Sequence, residues 1–402
     1  MRILISGASI AGPVLAYWLA RYGFDVTVVE RAPALRKTGG HAVDLFRPAM
    51  EISEKMGVLP RIEALATGTD RLTICREGRT KATRIDLTKI YAATSDRHVE
   101  IMRDDLSEIY YDAARDDVEY LFGDSITAIE HDGTVTFEHG PARTFDVIVG
   151  ADGLHSNVRS LTFGEEAELT RFLGGYLAVL SAPKTMAESG EMVTHVGVGR
   201  LAAIYTADHL DDARAVFMFR SKEELDYDHR DALRQKELLR SAFAGMHDQV
   251  DSWLGELERT PTFYFDSITQ LRTDRWSRRR VTLVGDAGYC PGPAVGGSTS
   301  LAVLGAYVLA GELAEADGDH LRAFAAYELQ MHEPVHRSRT FARGAAKGII
   351  PGSRIGLWAL THGAQLVSAM PGSLSRSLAK LNTKGVRMHD SMPVPEYTGS
   401  DV

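Results

Sequence analysis

The sequence predicts an α/β fold with a β-rich insertion and C-terminal helices, and three observations predict it. The chain opens strand, turn, helix, strand within thirty residues. A block of alternating segments between about Phe172 and Ser267 interrupts the α/β pattern. Two later buried strands, Phe145–Val149 and Val281–Gly285, each run into a glycine-rich turn. At 402 residues the chain exceeds the ~250–300 at which one hydrophobic core stops growing, so more than one domain is expected.

The elements follow in order. Ile3–Ser6 is a short apolar strand, and a helix runs from about Gly12 to Arg21, where Gly23 ends it. Val26–Glu30 is a β-branched strand. So short a strand–helix–strand crossover requires parallel pairing. Helices are expected near Ala49–Met56 and Asp104–Ala114, and Val118–Gly150 reads as a strand, a hairpin and a buried strand. Gly175–Leu180, Met192–Val198, Leu201–Thr206 and Ala215–Arg220 alternate as an antiparallel sheet. Charged helices follow Asp231, and Thr262–Ile268 returns to strand. The helix from about Thr299 to Ala314 resumes the first pattern. The expected division is 1–170 with 270–330 for the discontinuous nucleotide-binding domain, 171–269 for the β-rich substrate domain, and 331–402 for a C-terminal helical segment.

Composition narrows the function classes. A net charge of −9 argues against general affinity for nucleic acid or anionic lipid. Two cysteines, Cys75 and Cys290, make neither a disulfide framework nor a cysteine zinc site. Arg2–Ser6 already reads as a strand with no leader ahead of it, so a cytoplasmic protein is expected. The apolar stretch Ile349–Met370 carries Arg354, His362, glycines and prolines, and is expected to pack on the protein rather than insert stably in a membrane.

The chemistry starts at the first turn, Gly7-Ala8-Ser9-Ile10-Ala11-Gly12. Gly7 allows the tight turn and Gly12 lets the helix approach the strand, while the helix N-terminus offers free N–H groups and a positive dipole end to a pyrophosphate. Ser9 stands where the middle glycine is usual. Glu30, at the end of the second strand, is placed to accept hydrogen bonds from ribose hydroxyls, with Arg31 beside it. Together these describe a Rossmann-like dinucleotide site, NAD or FAD undecided.

Two later segments separate those cofactors. Gly150-Ala-Asp-Gly-Leu-His-Ser-Asn-Val-Arg159 and Gly285-Asp-Ala-Gly-Tyr-Cys-Pro-Gly-Pro293 each follow a buried strand. In their order the three motifs resemble the group A FAD-dependent aromatic hydroxylases, of the p-hydroxybenzoate hydroxylase kind, and more distantly the tetracycline-degrading flavin monooxygenases. The resemblance spans roughly Met1–Tyr327. It implies one FAD, with Asp286 on a ribityl hydroxyl, Arg103 at the ribityl or phosphate portion, and Asp152 supporting FAD and the nicotinamide nucleotide. Arg159 would contact one of them. Pro293, Gly296, Gly297, Ser298 and Thr299 would lie against the ring, where a helix N-terminus stabilises the reduced anion.

The resemblance further implies that NADPH or NADH, bound transiently, reduces the flavin. O₂ then gives a flavin hydroperoxide that hydroxylates an aromatic, phenolic or polyketide-like small molecule. No catalytic side chain is required. A reductase or dehydrogenase of the same fold, or a non-catalytic flavin binder, are the alternatives, and monomer and homodimer are both compatible. The sequence departs from the commoner family pattern at Tyr289, Ser298, Ser300 and Gly305. Arg200, Phe217, Phe219 and Phe265 of the inserted sheet are the pocket candidates. His332-Glu-Pro-Val-His336 has zinc-hydrolase spacing, but Pro334 is expected to break the turn it needs and to begin the last helix, so no metal is expected.

Overall fold

The structure, a computed structural model, describes residues 1–35, 40–88, 97–229, 231–260, 262–293, 297–369 and 388–398. Its first sheet has six strands in the order Ser277–Arg278, Val281–Leu283, Val147–Gly150, Arg2–Ser6, Asp25–Glu30, Glu119–Phe122. All pair in parallel except the antiparallel edge strand Ser277–Arg278. Arg2–Ser6 sits near the centre, and four of its five residues are buried, as a parallel strand covered on both faces requires. The helix Ala11–Arg21 returns over it and ends where Gly23, at φ +80°, lets the Phe24 N–H reach the Leu19 carbonyl. Helix Ser298–Glu315 packs beside it and is apolar almost all round, as a helix buried on every side must be.

The second sheet has seven strands, ordered Phe263–Leu271, Thr170–Pro183, Asp212–Arg220, Arg200–Tyr205, Glu191–Gly197, Arg71–Arg76, Thr83–Asp86. Its last two strands come from well ahead of residue 171, and Arg71–Arg76 pairs in parallel with Glu191–Gly197. One face is covered by helices Ala232–Phe243 and Asp248–Gly255.

The helix His320–Ile349 ties the two sheets together. Its first half packs Phe324, Tyr327, Met331 and Val335 into the core of the six-stranded sheet, and its second half puts Ala342 and Ala346 against Leu177, Val179 and Ile268 of the other. The helix runs through Pro334, which corrects the expected break and start there. Its surroundings hold it helical, because Pro334 and Val335 are buried and packing outweighs one lost backbone hydrogen bond. The His332 and His336 rings are therefore stacked on one face, 6.3 Å apart. Among the described residues no group of three His, Cys, Asp or Glu side chains could hold a metal ion, and no helix is long and apolar enough to cross a membrane. Helix Arg354–Ala369 lies on the protein, with Leu357 packed on Ile74, Ile85 and Val196 at the sheet edge.

Candidate active site

The three glycine-rich segments meet at one end of the six-stranded sheet, beyond the C-terminal ends of its parallel strands. Gly7 has φ +107°, and a Cβ there would lie 2.6 Å from the Ala151 carbonyl oxygen, so the first turn and the second segment touch backbone to backbone. A Cβ at Gly12 would run into the Gly7 carbonyl. Ile10 caps the helix without a side-chain hydrogen bond, leaving first-turn N–H groups of Ala11 and Gly12 open at the positive end of the dipole. Ser9, in the unusual middle position, accepts a long hydrogen bond from Arg103 Nη2 at 3.4 Å, and its carbonyl accepts one from Ser107 Oγ at 3.0 Å. Ser107, which the sequence reading missed, holds the turn from the side.

Glu30 is half-buried and already engaged. Oε2 accepts the Ala8 N–H at 3.0 Å and Oε1 the Ala32 N–H at 2.9 Å. Each carboxylate oxygen retains a second lone pair for a hydroxyl. Arg31 is exposed on the following turn. Asp152 is turned toward its own loop: it accepts from Ser156 Oγ at 2.5 Å, Val158 N at 3.1 Å and Ser6 Oγ at 3.4 Å, which locks the second segment onto the first strand. Burial pushes its carboxyl above the usual range. Arg159 is fully buried against Glu166 and the Ala287 and Leu154 carbonyls, so it braces the third segment from behind instead of contacting a ligand.

In the third segment Asp286 opens a short helix, and burial raises its carboxyl, opposed by the Cys290 thiol and Arg103. Pro293 is half-buried, and Gly297, at φ +81°, caps the Ser298–Glu315 helix, whose first residues Ser298 and Thr299 are half-exposed. Gly296 lies outside the described residues. Two departures from the family pattern have partners across space. Ser300 Oγ accepts the Phe46 N–H at 2.9 Å, and a Cβ at Gly305 would run into the Tyr289 hydroxyl.

Arg103 stands at the electrostatic centre of this corner. Its charge acts on Asp286, on Tyr264 and on His41, whose pKa burial and Arg103 together lower to about 4. Among the described residues no carboxylate forms an ion pair with it; its side-chain hydrogen bond is the long one to Ser9. A half-buried cation without a carboxylate partner, facing open N–H groups at a helix N-terminus, suits the diphosphate of FAD. Asp286 and Glu30 would supply acceptors for its hydroxyls. The residues fit the cofactor.

The inserted sheet presents a different face to this corner than the sequence suggested. Phe217, Phe219 and Phe265 are buried with Tyr176 and Phe243 beneath the covering helices, on the far side. They belong to the core, which corrects their reading as pocket residues. Arg200 is likewise a brace: Nη2 pairs with Glu77 at 2.6 Å and Nη1 donates to the Ala242 carbonyl at 3.0 Å, at a helix C-terminus. The near face carries Tyr205, Arg214, Tyr264 and Asp266 instead. Tyr205 Oη accepts the Ala42 N–H at 2.7 Å, and Arg214 Nε donates to the Gly40 carbonyl at 3.1 Å, so the segment leading into the Ala42–Leu45 strand is pinned between sheet and corner. His155 bridges the two sheets, 3.0 Å from Asp266 and 2.8 Å from Glu166. Counting alternation from Phe265 would have put Tyr264 and Asp266 on the opposite face, but nothing local says which face receives helices.

Comparison with known proteins agrees with this geometry. Residues 1–322 match the family described as FAD binding domain. An uncharacterized protein of Mycobacterium tuberculosis is 41% identical over 346 residues, covering 84% of this chain and 91% of its own. A flavin-dependent monooxygenase of Legionella longbeachae is 35% identical over 344 residues, covering 85% and 87%. The crystal structure of tetracycline destructase Tet(55) superimposes with a TM-score of 0.82 at 31% identity, over 98% of each chain.

Proposed function

The chain belongs to the FAD binding domain family and is an FAD-dependent monooxygenase, and from that premise we propose that it uses NADPH or NADH with O₂ to hydroxylate an aromatic, phenolic or polyketide-like small molecule. The observation that carries this reading is the meeting of the glycine-rich segments: Arg103 hydrogen-bonds Ser9 of the first turn and acts on Asp286, and Gly285 packs between Ala11 and Ala302 of the Ser298–Glu315 helix. Bound FAD would supply the redox chemistry, taking reducing equivalents from the nicotinamide and passing them to O₂.

The chain's own residues bind, orient and exclude water. Arg103 and the open N–H groups of Ala11 and Gly12 hold the diphosphate, and Glu30 and Asp286 accept from hydroxyls. Asp152 acts by fixing the loop that backs them. The N-terminus of Ser298–Glu315 favours negative charge on the reduced ring. The buried Tyr205 and Arg214 and the half-buried Tyr264 stand on the side from which an aromatic substrate approaches and limit its access to water. The relatives' names, with a tetracycline destructase among them, favour fused-ring substrates.

The test is a panel of aromatic and polyketide compounds screened for stimulated NAD(P)H oxidation, with product mass measured under ¹⁸O₂. Incorporation of one ¹⁸O is expected. Product formed without O₂, or free of the label, would turn the reading toward a reductase.

A further inference from the structure

We propose that His389, delivered by the C-terminal segment, is a cofactor-contacting residue that hydrogen-bonds the pyrimidine edge of the flavin at the N-terminus of helix Ser298–Glu315. This rests on the reading that FAD occupies the corner described above.

The segment carrying His389 is firmly docked. Asp390 takes the Arg47 N–H at 3.1 Å through Oδ1 and Arg47 Nε at 2.9 Å through its carbonyl, and Glu396 pairs with Lys55 at 2.8 Å. Tyr307 Oη donates to the Pro395 carbonyl at 3.0 Å, and Tyr397 Oη to Glu312 at 2.9 Å. Between these anchors the His389 ring, 1% exposed, stacks on Phe46 at 5.2 Å with an interplanar angle of 7° and meets Phe341 edge-on. Its Cε1–Nε2 edge lies over Gly297, where any Cβ would run into it, so the left-handed cap of the helix is also the seat of the imidazole.

What needs explaining is that both ring nitrogens are buried and, among the described residues, neither has a hydrogen-bond partner. Buried polar atoms are seldom left so, and a site that orphans two on one ring points to a partner outside the chain. Burial lowers the imidazole pKa to about 4, so near neutrality the ring offers one N–H donor and one lone pair. The two nitrogens of one imidazole point away from each other, so one of them meets the pyrimidine edge of a flavin, whose alternating carbonyl, N–H and carbonyl can take either a donor or an acceptor. Ser298 and Thr299, at the start of the same helix, have first-turn N–H groups without an intrahelical acceptor.

The experiment titrates FAD into apoprotein, following flavin fluorescence, and measures the midpoint potential of the bound flavin. His389→Phe keeps the ring stack and removes both polar atoms; His389→Gln keeps a donor and an acceptor without the ring. His389→Phe should lose about tenfold in FAD affinity or more and lower the potential, with His389→Gln closer to wild type. Wild-type affinity and potential in His389→Phe, or a greater loss in His389→Gln, would overturn the proposal, since packing alone gives that order. If His389→Phe does not fold, the potential of His389→Gln against His389→Leu decides in the same way. A wild-type chain that takes up no FAD overturns both this inference and the cofactor reading; a wild type that binds while His389→Phe is unchanged overturns this one alone.

Discussion

Replacing Glu30 by alanine should separate the two things its carboxylate does. Within the protein it holds two backbone N–H groups, of Ala8 and Ala32. Ala32 is half-exposed and water can replace the lost acceptor, whereas Ala8 is 2% exposed and its N–H would be left buried. An unsatisfied buried donor costs about 1–3 kcal/mol. Spread over the unfolding entropy of a chain this long, that lowers the melting temperature of the apoprotein by about 1–4 °C. In FAD binding a charge-assisted bond to a ribose hydroxyl is lost as well, about 1.5–3 kcal/mol, or roughly a ten- to hundredfold weaker affinity. Glu30→Gln keeps one acceptor oxygen and should fall between. The assays are thermal unfolding of the apoprotein and FAD titration by fluorescence quenching. A lowered melting temperature with unchanged FAD affinity would make Glu30 a staple of the turn and nothing more. No change in either would refute the hydrogen-bond geometry itself.

Two further predictions concern packing and pH. Gly305→Ala should destabilise the protein by about 1–3 kcal/mol through overpacking against the Tyr289 hydroxyl. Adding Tyr289→Phe should recover most of that loss in a double-mutant cycle read by denaturant unfolding, and additive losses would show that the two sites are not in contact. His155, hydrogen-bonded first to Asp266 and then to Glu166, has its pKa raised from 6.5 to about 10. Because the folded value lies above the unfolded one, its stabilisation is complete below about pH 6.5 and is lost as pH rises through about 10. The melting-temperature gap between wild type and His155→Gln should therefore be widest near pH 6 and close by pH 10.5; a gap that is constant or grows with pH refutes the bridge.

The opening strand, turn and helix were legible because Gly7, Gly12 and Glu30 act within thirty residues of one another and each is required by a local backbone geometry. The inserted sheet was legible as strands but not as faces. Thr170–Pro183 is buried almost throughout its second half, with Tyr176, Ala178 and Leu180 facing one core and Leu177 and Val179 another, so there is no polar side to mark the solvent or the ligand. A sheet apolar on both faces leaves side assignment to whatever packs on it, and one residue of parity moved Phe217, Phe219 and Phe265 from pocket to core. Arg71–Arg76 could not be assigned to that sheet from sequence, because its partner lies about 120 residues on and pairs in parallel. His389 follows no motif at all.

Four departures from the family pattern, Ser9, Ser300, Tyr289 and Gly305, have partners across space. Ser9 replaces a glycine, and its side chain and carbonyl are taken up by Arg103 and Ser107 on the neighbouring helix. Ser300 gives its oxygen to the Phe46 N–H, fixing the strand Ala42–Leu45 that Tyr205 and Arg214 pin from the other side. The Tyr289 hydroxyl reaches Gly305, another of the departing positions, as well as the Tyr327 hydroxyl. A tyrosine there requires the glycine. Each change thus moves volume or a hydrogen bond from one residue to its neighbour and leaves the corner around Arg103 standing. On this reasoning the departures leave the candidate cofactor site intact.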